Sequence, residues 1–174
     1  METLAADLPE RLGQTDTTAS KARLRLWLRL LKAQKQIEGQ VREFLRQNHD
    51  TTLPRFDVLA ALYRTRDGMM MGALSGELKV SNGNVTGIID RLVADDLVER
   101  VPVEGDRRAM KVRLTPEGRT TFETQAEAHE ALIDRLLGGL GVDEADALSA
   151  ALLAIAETAE QSIETHSATS RTQE

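Results

Sequence analysis

The chain has 174 residues, 41% of them hydrophobic but only 3% aromatic, and a formal net charge of -6. That length supports one ordinary core, which must be aliphatic and therefore favours helix. The lack of cysteine excludes disulfides, thiolate nucleophiles and cysteine-ligated zinc, and His49, His129 and His166 are too scattered in sequence to suggest a metal set. No stretch approaches the roughly 18 apolar residues of a membrane span, and the N-terminus lacks the order of a secretion signal, so a cytoplasmic protein is expected.

The charge is segregated. Residues 20–47 carry eight Lys or Arg against two Asp or Glu, whereas residues 120–174 carry two against eleven. A polyanion meets a local face and not the average, so the acidity of the whole does not exclude one.

Residues 1–19 mix Gly, Pro, Thr and Asp without periodicity and read as a tail. From Ser20 to about Gln47, Leu24, Trp27, Leu28 and Leu31, then Ile37, Val41, Phe44 and Leu45, recur at helical spacing. Leu26 and Leu30 widen the apolar surface beyond one face, so this helix is expected to pack against more than its own domain. Lys21, Arg25, Arg29 and Lys32 form a cationic stripe beside Trp27. The stripe suits an anionic ligand; alternatively it pairs with the acidic C-terminal helices or is simply solvated.

A second helix starts near Thr52 and Pro54, buries Phe56, Leu59, Ala60 and Leu62, and ends at Asp67-Gly68. Met69 to Gly72 lead into a short helix carrying Leu74 and Leu78. Ser81 then caps a helix whose inner side is Val85, Ile88, Ile89 and Leu92. Its outer side holds Asn82, Gly83, Thr86, Gly87 and Asp90, and each interior glycine costs roughly 1 kcal/mol relative to alanine. A partner that must approach the backbone, such as a DNA major groove, accounts for that cost. The alternative is that Asn-Gly-Asn is a loop and the glycines serve helix packing.

LVERVPV (97–103) and MKVRLT (110–115) alternate like strands around the turn-like EGDRRA, which predicts a hairpin. Thr115 caps and Pro116 opens a long helix that passes His129, expected to be a packed or partly exposed residue and not a catalyst, and ends at Gly138-Gly139. Asp143 caps a last helix with Leu148, Leu152 and Ile155 on one side. Short helix, tight connection, capped helix and hairpin together make a helix-turn-helix with a wing. Arg107 and Arg108 would project from the wing tip into a minor groove or onto phosphates, with Asp106 directing one of them. Read as a tripeptide by itself, DRR is also consistent with an exposed charged turn that binds nothing.

From LPRFDVLAALYR through VSNGNVTGIIDRLVADDLVERVPVEGDRRAMKVRLTPEGR the sequence resembles the MarR family of winged helix-turn-helix regulators, over roughly residues 20–165. LVER, DRR and LTPEG are the most specific parts. The resemblance implies a mainly α fold with a small β-hairpin wing and an α-helical dimerisation region from both termini. Its expected divisions are a flexible tail (1–19), an N-terminal dimerisation helix (20–50), a winged helix-turn-helix (51–116), C-terminal dimerisation helices (117–165) and a flexible end (166–174).

The resemblance further implies a homodimer on a palindromic double-stranded operator. Ser81, Asn82, Asn84, Val85 and Thr86 would lie on the recognition helix and Asp106, Arg107 and Arg108 on the wing. Gly83 and Gly87 depart from the larger or basic side chains of many members. RLWLRLL, TTLPRFDVLAAL and VSNGNVTG also look like the subgroup that controls aromatic-acid catabolism through acyl-CoA thioesters such as hydroxycinnamoyl-CoA. That subgroup implies an aromatic acid or its CoA thioester as effector, with Trp27, Phe44, Phe56 and Tyr63 as pocket walls and Arg25, Arg29 and Lys32 facing the CoA phosphates.

A ligand-responsive repressor with no metal and no cofactor is therefore the expectation. The alternative is a winged-helix dimer that binds protein and not specific DNA. An enzyme acting on acyl-CoA is disfavoured, since no cysteine is present and no grouping of Ser, His and acid stands out.

Overall fold

The computed structural model describes the backbone of residues 17–103 and 105–171 and the side chains of 18–103 and 109–161. The chain divides into two compact units, one through His129 and one from Glu130 onward.

Helix α1 (Thr17–His49) starts before the expected Ser20. Glu38 accepts from Arg42, and Glu43 accepts from Arg46 at 2.6 Å, one turn apart. Val41 and Leu45 are buried, whereas Leu24, Trp27, Leu28 and Leu31 are exposed. Helix α2 (Leu53–Arg64) has proline in its first turn, where the missing N–H is not needed. Thr52 holds the extended cap conformation without a side-chain bond, so the expected cap acts through its backbone alone.

Strand β1 (Met69–Met70), helix α3 (Met71–Leu78), helix α4 (Asn82–Ala94) and strands β2 (Val98–Val103) and β3 (Asp106–Leu114) follow. The sheet is antiparallel in the order β1-β3-β2, with Met69 opposite Val112 and Val98 opposite Leu114. The sequence predicts a two-stranded hairpin; β1 adds a third strand. Its approach needs Gly68, at φ +79°, because a Cβ there would sit 2.6 Å from the Val112 carbonyl oxygen.

The hairpin also differs at its tip. Strand β3 begins at Asp106 and not at Met110. Pairing passes from Pro102 opposite Met110 to Val103 opposite Asp106, so residues 107–109 form a bulge. Gly105, at φ +83°, makes the turn.

Leu74, Val58, Leu59, Leu62, Val85, Ile89, Leu92, Val98 and Val112 are fully buried or nearly so and form the core between α2, α3, α4 and the sheet. Ala60 and Ile88, expected inside, are only partly buried.

Helix α5 (Pro116–Leu137) enters through a joint that explains the LTPEG motif. The Thr115 N–H donates to the Leu97 carbonyl at 3.1 Å and its hydroxyl donates to the Asp96 carbonyl at 2.7 Å. The same hydroxyl accepts the Gly118 N–H at 2.9 Å, capping the helix as the sequence suggests. Gly118 must be glycine, because a Cβ would lie 1.9 Å from the Leu97 carbonyl oxygen. LVER and LTPEG are thus two sides of one contact.

Beyond Glu130, α5 stops before Gly138-Gly139 and helix α6 (Val142–Arg171) follows. Asp143 lies inside its first turn and is not the cap; instead Glu144 Oε2 accepts the Gly141 N–H at 2.9 Å. The helix runs past the expected end at 165. Leu148, Leu152, Leu153 and Ile155 of α6 are exposed. Among the described residues no helix is long and apolar enough to cross a membrane.

Candidate nucleic-acid interface

Helices α3 and α4 are joined by only three residues, Lys79, Val80 and Ser81. Lys79 turns left-handed at φ 52°, its N–H bonding back to the Gly76 carbonyl while the Val80 N–H bonds to Ser75. This paired closure ends α3 and redirects the chain. Lysine at such a position carries a Cβ cost of about 1 kcal/mol that glycine would avoid. Nothing in the sequence marks Lys79 as the turn residue, because no glycine stands there.

Ser81 is the N-cap of α4 but makes no side-chain cap bond. The helix therefore begins with an exposed serine and exposed Asn82 and Asn84. Its first N–H groups lack intrahelical acceptors, as in any helix start, and favour an anion. Thr86 is exposed as well, with its hydroxyl donating to the Asn82 carbonyl at 2.8 Å. That proton is committed, so Thr86 offers an outside partner its methyl group and an acceptor lone pair.

Val85 is the correction in this set. It is fully buried, because the helical period turns it with Ile89 and Leu92 toward the core, and it cannot reach a base edge.

Gly83 and Gly87 lie on the exposed side of α4, and a Cβ at either would meet nothing within 4 Å. Packing against the described residues thus accounts for neither, and the loop alternative for Asn-Gly-Asn gives way to a helix from Asn82 to Ala94. Asp90, placed by the sequence on the same open side, accepts from Arg100 of β2 at 2.5 Å. Cross-strand Arg113 and Glu99 pair at 2.8 Å. Arg55 at the start of α2 pairs with Asp95 at the end of α4. The helix is therefore tied to the wing's strand on one side and to α2 on the other.

Asp106, Arg107 and Arg108 open β3; their side chains lie outside the described residues. The expected effector residues do not form one group. Arg25, Trp27, Arg29 and Lys32 are exposed along α1. Phe56 stacks on Phe122 and His129, at 5.5 and 5.0 Å between ring centres, and Tyr63 lies 4.8 Å from Phe122. Arg119 covers the Tyr63 ring, whose hydroxyl donates to Glu123 at 2.8 Å. Phe44 makes a separate edge contact with His49. Asp57 is exposed, yet partial desolvation raises its carboxyl from the ordinary value, partly opposed by Arg42 and His129.

A family model described as MarR family matches residues 49–109, the span from the end of α1 to the wing. A MarR family transcriptional regulator from Silicibacter pomeroyi superposes with a TM-score of 0.68 at 34% identity, covering 83% of this chain and 99% of that one. The chain belongs to the MarR family. The Transcriptional activatory protein BadR of Rhodopseudomonas palustris is 36% identical to this MarR family chain over 96 residues, 53% of this chain and 55% of that one. The chain spans about half the length of the curated relatives it matches. A mutant MarR from E. coli, solved in complex with operator DNA, superposes with a TM-score of 0.67 at 26% identity over 77% of this chain and 95% of that one. These likenesses are to transcriptional regulators and not to enzymes.

Proposed function

We propose that the chain is a ligand-responsive transcriptional regulator that binds double-stranded DNA as a homodimer in the cytoplasm. The observation that carries this reading is the α4 surface: an exposed helix start with two glycines that nothing among the described residues packs against. A major groove fits it. Asn82 and Asn84 have the donor and acceptor set for adenine, the Thr86 methyl suits a thymine methyl, and the bare glycines let the backbone descend toward base edges.

Arg107 and Arg108 supply the wing's contribution to phosphates or a minor groove. A second copy is supported by the exposed Leu24, Trp27, Leu28 and Leu31 of α1 and the exposed leucines of α6, an amount of apolar surface that isolated helices do not usually leave to water. Two copies would present half-sites about 34–36 Å apart, matching a palindromic operator.

Repression released by a small aromatic acid or its CoA thioester is the mode we propose, with Arg25, Arg29 and Lys32 available to an anionic effector. One relative carries an activatory name, and run-off transcription with and without the protein separates the two directions. The binding test is fluorescence anisotropy on promoter-region DNA. Affinity should fall steeply with salt, and Arg107→Ala and Arg108→Ala should each weaken it with the dimer intact. Wild-type affinity in both variants removes the wing from the interface.

A further inference from the structure

Between Leu53 and Arg119 the described cations fall into two groups. Arg55, Arg64, Arg100 and Arg113 each pair with a carboxylate, and Arg119 lies over the Tyr63 ring. Arg66, Lys79, Arg91 and Lys111 form no ion pair with any described residue. Position separates these four. Arg66 stands in the turn between α2 and β1, Lys111 is only partly exposed in the middle strand, and Arg91 is near the far end of α4. Lys79 alone adjoins the start of α4, where Lys79, Val80, Ser81 and Asn82 are consecutive exposed residues.

Lys79 is also the residue that backbone preference explains least. Among the described residues the non-glycine positions with positive φ are Asp50, Lys79 and Asp96. Aspartate tolerates the left-handed region because its short side chain bonds locally, and lysine has no such compensation. Glycine serves at the comparable positions 68 and 105, at φ +79° and +83°. Nor does the lysine side chain offset the strain elsewhere in the described structure: it is exposed and has neither ion pair nor hydrogen bond there. A local rule broken without a compensating contact points to a partner outside the chain.

We infer that Lys79 contacts a backbone phosphate of the DNA on which α4 docks, one contact per protomer, and so fixes the start of α4 over the groove without reading sequence. An ammonium is a compact point charge that binds phosphate from many directions. Phosphate contacts set register and base contacts set specificity, so Lys79 complements Asn82 and Asn84. The inference rests on the reading of α4 as a DNA-facing helix, which the exposed asparagines and glycines support without Lys79.

The test is fluorescence anisotropy of the full chain on two duplexes of equal length, one from the promoter region and one of random sequence, over a series of potassium chloride concentrations. Lys79→Gly and Lys79→Asn both suit a left-handed turn. Each should weaken binding to both duplexes about tenfold per dimer, and should flatten the log–log salt dependence by about 1.8, at about 0.9 for each lost phosphate contact. Lys79→Arg should restore affinity and slope to within about twofold. Wild-type affinity and slope in both neutral variants, weaker binding at an unchanged slope, or the same loss in Lys79→Arg overturns the contact and leaves the DNA reading standing. If the wild-type chain shows no salt-dependent binding to either duplex, the DNA reading itself falls and takes the contact with it.

Discussion

Replacing Gly118 by alanine tests the joint on which the placement of the wing depends. The added Cβ would lie 1.9 Å from the Leu97 carbonyl oxygen, 2.7 Å from its carbon and 3.1 Å from its Cα. All three are backbone atoms, which cannot rotate away like a side chain. Relief requires the start of α5 to retreat by about 1 Å, and the Thr115-to-Leu97 bond, already 3.1 Å long, would open with it. Overpacking of this kind costs about 1–3 kcal/mol and a lost hydrogen bond about 1 kcal/mol more, while alanine returns up to about 1 kcal/mol of helix propensity. A net loss of about 2 kcal/mol follows. Urea unfolding followed by circular dichroism at fixed protein concentration should show a midpoint lowered by about 1 M at unchanged slope. Gly76→Ala, where a Cβ meets nothing within 4 Å, should move the midpoint upward. An unchanged or raised midpoint for Gly118→Ala would refute the reasoning.

Two further substitutions follow from the geometry. Lys79→Gly removes the Cβ from a left-handed residue and should stabilise the fold by about 1 kcal/mol, read as a rise in thermal midpoint; a fall would mean that the lysine side chain has a structural role. Asp57→Asn should stabilise the fold at neutral pH. The folded carboxyl is held above its ordinary value, so protonation favours the native state: the native advantage is full below the unfolded value and is lost as pH rises through the folded one. The gain from asparagine should therefore shrink on acidification, and an equal gain at pH 7 and at pH 3 contradicts it.

Much of this was legible from local pattern. Apolar spacing located all six helices near their observed spans, and Pro116 and Gly138-Gly139 bracketed α5, because caps and breakers act on neighbouring backbone. What was missed depends on distant partners. Met69-Met70 is too short to show a period and becomes a strand only beside Val112. Gly118 reads as part of a motif, and its necessity appears only when Leu97 is placed against it. Val85 recurs with Ile89 and Leu92 at helical spacing, and that period places it in the core, away from a base edge.

Helix α4 is proposed to offer a bare backbone to a nucleic-acid groove. Gly87→Ala tests it most directly, through paired measurements of folding stability and of anisotropy-detected binding to promoter-region DNA. The expected variant is more stable by about 0.5–1 kcal/mol and binds DNA about tenfold more weakly, a loss of about 1.4 kcal/mol. A more stable protein with undiminished affinity would contradict it.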